Sequence, residues 1–205
     1  MRTAAEAAHQ KPVPDTRMLL LEAAERVLRK SGYSGLSTRR VAEAAAMPLS
    51  QIHYHFGSKE ALVLALLGYR NERLLGRQHA MFAEDWPLWK RWDKACDFLD
   101  EDVASGYVRI LQEMIAAGWT NPAISAAVRL FLGGWFDLLA RIAKEAAGRF
   151  GGFGNLKPND VACLVGTAFL GSEALLLVGF EDDGMPLRRA LRRFGALIRA
   201  AEESR

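Results

Sequence analysis

Apolar residues recur along this chain at spacings of three and four, and no stretch alternates in the manner of a strand. A first helix is predicted from about Thr16 to Lys30, after Pro14, with Asp15 or Thr16 as its cap. Leu20, Ala24, Val27 and Leu28 share one of its faces. The sequence SGYSG ends it. Ser37 is a good N-cap for a short second helix, Thr38 to Ala45, that turns Val41, Ala44 and Ala45 inward. AMP breaks that helix, and a third runs roughly from Leu49 to His55. Gly57 ends the third, and Ser58 caps a long fourth helix through about Met81. Beyond it, Trp89, Trp92, Cys96, Leu99 and Val103 lie on one stripe, followed by YVRILQEMIAAGW. After Asn121-Pro122 a long helix carries Ile124, Val128, Phe131, Trp135, Leu138 and Ile142. A helix over 158–179 is apolar all round, and PLRRALRRFGALIRAAEE forms the last. The fold expected is all-α, with about nine helices.

The first third is organised differently from the rest. Three short helices precede a long one, and the second and third are joined by a tight turn, which is a helix-turn-helix unit. We divide the chain into an arm at 1–14, a helix-turn-helix domain at 15–62, and a larger helical domain at 63–205. The arm has small residues, two prolines and no apolar core for a signal peptide, and is expected to be disordered.

Charge supports the division. Of 27 Lys and Arg and 24 Asp and Glu, residues 1–62 hold 9 and 6, an excess of three. The remaining 18 and 18 cancel. Basicity confined to one segment favours a polyanionic partner there. Cys96 and Cys163 lack CxxC spacing and sit in apolar helical patterns, the mark of buried free thiols in a reducing cytoplasm. Residues 161–180 carry a single charge, Glu173, over a length that could span a bilayer. Acidic flanks at Asp160 and Glu181 to Asp183, and a carboxylate in mid-span, favour a helix buried in protein, so no membrane is expected. The glycine loop at 148–154 follows a helix and lacks a P-loop lysine, so it reads as a connector.

The block GYSGLSTRRVAEAAAMPLSQIHYHFGSKEALVLAL, residues 32–66, resembles the tetracycline-repressor (TetR) family of one-component bacterial regulators, down to its aromatic-x-SKE-x-L close. It departs from the family at four points. Ala46 replaces a usual Gly in the turn, Pro48 a common Ser cap, Ser50 a common Gly, and His53 a Tyr that usually contacts phosphate. A left-handed Ala46 would cost on the order of 1–2 kcal/mol.

In a recognition helix the N-terminal residues face base edges, while the preceding helix crosses the backbone. Gln51 suits adenine N6/N7 and Arg39 guanine O6/N7. Ser50 can bond a base edge or phosphate, and Leu49 can touch a thymine methyl. Thr38, His53, Tyr54, His55 and Lys59 can donate to phosphate oxygens. Tyr54 or His55 could instead pack against Phe56 and the first helix. His53 and His55, two residues apart, point to opposite sides of a helix, so no metal site is expected.

The resemblance implies a DNA-binding domain at 15–62 and a ligand-binding and dimerisation domain at 63–205. It implies a homodimer built on the last two long helices, bound to a palindromic double-stranded DNA operator. Gly166, Gly171, Leu175, Leu191, Phe194 and Ile198 are the expected interface residues. Arg188, Arg192 and Arg199 read as a solvated face. Trp89, Met114, Trp119, Phe131, Trp135 and Phe169 offer walls for a small, apolar effector, and plain core is the alternative for each. Asp137 has Arg141 one turn on. Glu173 has no partner within a turn, so it either pairs across the dimer with an arginine or meets a polar group of the effector. Two functions follow. One is a cytoplasmic, ligand-responsive repressor that is not an enzyme and needs no cofactor. The other is a small helical enzyme using His or Glu acid–base groups, for which no nucleophile, cofactor motif or metal spacing is present in the sequence.

Overall fold

A computed structural model describes residues 15–182 and 184–204, so the arm expected at 1–14 lies outside the described residues. Among them are nine helices: α1 Thr16–Gly35, α2 Thr38–Ala44, α3 Leu49–His55, α4 Lys59–Ala83, α5 Leu88–Ser105, α6 Tyr107–Gly118, α7 Pro122–Phe150, α8 Pro158–Leu177 and α9 Leu187–Glu203. The fold is all-α, in two compact units that meet in sequence at Leu66 and Leu67.

In the first unit local chemistry sets each boundary. The Asp15 carboxylate accepts from the Arg17 amide at 3.0 Å and opens α1. Gly32, at φ 68°, breaks the helix where SGYSG predicts an end. Ser37 Oγ accepts from the Arg40 amide at 3.3 Å and starts α2. Leu20, Leu21, Ala24, Leu28, Leu36, Val41, Ile52, Leu62, Val63 and Leu66 are buried. Each buried leucine or isoleucine contributes roughly 1.5–3 kcal/mol relative to exposure.

The second unit is built on long helices. The Asn121 carbonyl oxygen accepts from the amides of Ala123 and Ile124 at 3.0 and 3.2 Å, with Pro122 at the first helical position of α7. Glycine makes two close approaches possible. A Cβ on Gly166 would lie 2.3 Å from the Phe136 ring, so α8 meets α7 there. On Gly195 it would lie 2.8 Å from Asp93 Oδ1, where α9 meets α5.

The seam between α5 and α9 is polar at its edges. Arg188 Nε lies 2.7 Å from Asp100, and Arg192 lies 3.0 Å from Asp97 and 2.8 Å from Asp100. Arg188 also pairs with Glu181. Trp92 Nε1 donates to the Leu191 carbonyl at 2.7 Å. Glu202 accepts the amides of Leu88 and Trp89 at 2.9 and 3.1 Å and so caps α5 from the end of α9.

Four expectations change. Arg188 and Arg192 are not merely solvated; they tie α9 to α5. Gly166 serves packing within the chain. Leu191 packs toward Cys96, Leu99 and Phe169, and Ile198 lines a cavity, so both have contacts within the chain where an interface was expected. Cys96 is buried as expected, but Cys163 is exposed.

Candidate nucleic-acid interface and ligand cavity

The turn between α2 and α3 is held by backbone bonds from Ala46 to Glu43 and from Met47 to Ala42, at 3.0 and 2.9 Å. Ala46 adopts φ 52°, the one left-handed non-glycine residue among those described. Its strain is local: the turn needs that conformation to reverse the chain, and alanine carries a Cβ that glycine lacks. Pro48 precedes α3 without a side-chain cap bond.

Of the seven residues of α3 only Ile52 is buried. That single anchor turns the rest of the helix outward. Leu49, Ser50, His53 and Tyr54 are exposed, Tyr54 to 82 %, and Gln51 and His55 are half-buried. The packing alternative for Tyr54 is thereby excluded; its ring meets only the edge of His55, at 4.9 Å. Arg39 is exposed on the first turn of α2, beside half-buried Thr38.

Two expected phosphate donors have other partners. His53 Nδ1 lies 3.2 Å from the Gly57 carbonyl, which can only accept, so Nδ1 carries the proton. His53 Nε2 can then donate only as the imidazolium. Lys59 Nζ donates to the Tyr33 carbonyl at 2.8 Å and sits 4.1 Å from the Tyr33 ring centre. Its first task is to close the end of α1 onto the start of α4.

The second unit encloses a cavity of about 410 Å³, lined from α4 to α9. Phe131, Trp135, Phe169 and Glu173 line it as expected; Phe194 and Ile198, expected at an interface, line it too. Trp89, Met114 and Trp119 do not. Trp89 lies under the Arg199 guanidinium at 4.9 Å, Met114 is fully buried core, and Trp119 is 82 % exposed at the end of α6. Aromatic character marks a hydrophobic side chain, not the space it borders.

The polar part of the wall escaped the sequence reading. Asn71, Arg91, Asp102 and Tyr107 all reach the cavity, from three helices. Arg91 is buried, paired with Glu145 at 3.0 Å and donating to the Glu84 carbonyl at 2.9 Å. Asp102 meets Arg77 at 2.6 Å; even so, burial raises its carboxyl against that guanidinium's pull. Glu173 Oε2 is buried with no hydrogen-bond partner among the described residues. Burial, then the Asp102 charge, pushes the Glu173 carboxyl up to about 8, opposed by a hydrogen bond from Gln112. Spacing within one helix could not reveal a cluster shared by several. Among the described residues, no three His, Cys, Asp or Glu side chains are grouped to hold a metal.

Residues 20–66, which hold this helix-turn-helix, match the family of bacterial regulatory proteins of the tetR type. The helix-turn-helix of this chain is of the tetR type. The HTH-type transcriptional regulator UidR of Escherichia coli K12 is 28 % identical over 120 residues, covering 56 % of this chain and 57 % of UidR. The HTH-type transcriptional repressor AcnR of Corynebacterium efficiens is 45 % identical over 56 residues, 27 % of this chain and 29 % of AcnR. The chain thus matches little more than half the length of UidR and under a third of AcnR. A crystal structure of a transcriptional regulator from Saccharomonospora viridis in complex with choline superposes with TM-score 0.72 at 21 % identity. That likeness covers 87 % of this chain and 94 % of the other and extends the shared fold through the second unit. Identity is higher over the shorter alignment, 45 % against 28 %.

Proposed function

We propose that this chain is a cytoplasmic, ligand-responsive transcriptional repressor of the tetR family and not an enzyme. It binds a palindromic DNA operator as a homodimer and leaves it when an apolar effector enters the cavity. The observation that carries DNA binding is α3, which buries Ile52 alone and offers Leu49, Ser50, Gln51 and Tyr54 outward. A helix that packs by one residue keeps its remaining surface for a partner, and a major groove admits a helix. In this reading Gln51 and Arg39 read bases, while Thr38, Tyr54 and His55 position the protein on phosphates. His53 assists when protonated, and Lys59 contributes charge from its place against Tyr33.

The homodimer reading is supported by the outer sides of α8 and α9. Leu164 is 59 % and Val178 77 % exposed, in line with Ala168, Gly171 and Leu175; on α9 Leu197 is 65 % exposed beside Phe194. Both α7 and α8 are long and apolar enough to cross a membrane. A partner helix pair covering α8 accounts for its outward apolar face equally well, and Glu173 inside it disfavours lipid. Sedimentation giving a monomer at micromolar concentration would refute the dimer. Two half-sites on one face of the duplex are then read roughly 34–36 Å apart, or at a multiple of that spacing.

Selection from a randomised duplex library tests base reading. Gln51→Ala should flatten preference at one position per half-site, a loss of about 1–3 kcal/mol of discrimination, with nonspecific affinity kept. Arg39→Ala should do so at a different position and also lower the salt slope. A variant that recovers the wild-type consensus with the same information at every position does not read bases there.

A further inference from the structure

The cavity wall holds three ionisable side chains besides Tyr107: Arg91, Asp102 and Glu173. Two are balanced by partners. Arg91 has Glu145 at 3.0 Å, and Asp102 has Arg77 at 2.6 Å. Glu173 is the one left without an opposite charge, although Arg91 Nε is likewise buried with no hydrogen-bond partner among the described residues. Its Oε2 is buried and accepts from no group among those described, and the charge that acts on it most is another carboxylate, Asp102. A buried acceptor without a donor costs about 1–3 kcal/mol, and a site that keeps one is under-satisfied until something supplies the donor. The surrounding wall is aromatic: Trp92, Trp135 and Phe169 line the same space. Ring faces attract cations, most strongly where water is excluded.

We propose that the effector of this cavity is an organic cation, an apolar body bearing one protonated amine that donates to Glu173 Oε2. The proposal rests on the reading of the cavity as the effector site. The apolar body fills the space between the rings, and the ammonium meets both the orphan oxygen and the aromatic faces. An anionic ligand would face Glu173 and Asp102, and the open donor on the wall, Arg91 Nε, belongs to a guanidinium whose charge Glu145 already balances. A neutral hydroxyl could donate to Oε2 but would leave the ring faces without a charge to attract.

Calorimetric titration at about pH 9, where Glu173 has released its proton and an alkylamine keeps its own, with decylamine, decanol and decanoate each below its aggregation concentration, separates these cases. The amine should bind about tenfold or more tighter than the alcohol, as a charged hydrogen bond exceeds a neutral one, and decanoate weakest. Glu173→Gln should abolish the amine's advantage and leave decanol within about threefold, since both keep the same apolar contacts. Wild type alone decides the order if the variant does not fold. Decanol binding as tightly as decylamine, or an amine preference that survives in Glu173→Gln, overturns the cationic ligand while leaving the effector cavity standing. Binding of none of the three probes overturns the effector cavity itself, and the cation with it.

Discussion

The helices α3 and α8 solve opposite problems with the same backbone. The seven residues of α3 are mostly polar and bury only Ile52, so nearly every side chain is available outside. The twenty residues of α8 are almost wholly apolar, yet the helix hides one carboxylate, Glu173, whose Oε2 lacks a partner. In α3 the exceptional residue is the anchor, and the rest supply the recognition surface. In α8 the exceptional residue is the one proposed to recognise a ligand, and the rest are packing. A site is found by asking which residue breaks its helix's rule, not by which residue type looks reactive.

The largest effect should come from removing the anchor of α3. Ile52→Ala deletes a fully buried side chain from a helix that has no other, and should cost about 2–5 kcal/mol. Urea unfolding of the helix-turn-helix unit should show this loss, together with the disappearance of duplex binding. A loss under 1 kcal/mol would mean that α3 is held by its turn and not by its core contact.

The second test reverses the exception in α8. With its carboxyl near 8 in the folded chain against an ordinary 4.5, Glu173 keeps a proton that the unfolded chain has released. Stability therefore falls as pH rises from about 4.5 to 8, because the folded state binds more protons there. Glu173→Gln cannot ionise. It should match wild type near pH 5 and exceed it by up to a few kcal/mol near pH 9. Asp102, Tyr107 and Gln112 remain in both proteins, so the difference reports Glu173. Parallel unfolding free energies across that range would show that the carboxylate has found a counter-charge.

The smallest effect concerns the turn before α3. Ala46→Gly relieves a left-handed Cβ but adds freedom to the unfolded chain, and the net should be a gain of about 1 kcal/mol or less. Thermal unfolding at matched pH measures it. A destabilised glycine variant would show that the Cβ packs usefully in the turn.

These contrasts also explain what could be read from the sequence. The ends of α1, α2 and α3 were legible because their causes are local: Asp15, Gly32, Ser37 and Gly57 each act within a few residues. The strain at Ala46 was legible for the same reason. The stripe on α9 was legible, but not which neighbour each of its residues meets. Leu191 and Ile198 suit a dimer seam by spacing, yet Leu191 packs on the core below α5 and Ile198 lines the cavity, while Phe194, 4.9 Å from Trp92, stays 47 % exposed. Periodicity names a face and not its neighbour. Trp119 was misjudged because an aromatic at a helix end satisfies the same pattern whether covered or bare. Arg91, Asp102 and Tyr107 were missed because their common neighbour is a cavity assembled from distant segments.

The Glu202 cap has a consequence for how this chain comes together during synthesis. It accepts the first amides of α5 from a position 114 and 113 residues further along the chain. The first unit, complete by Leu66, has every boundary contact in hand as soon as that stretch has left the ribosome. The second cannot fasten the opening turn of α5 until α9 has been made, so its nascent helices wait with apolar faces uncovered. The part of the molecule proposed to meet DNA is thus finished early, and the part that would sense the effector is finished last.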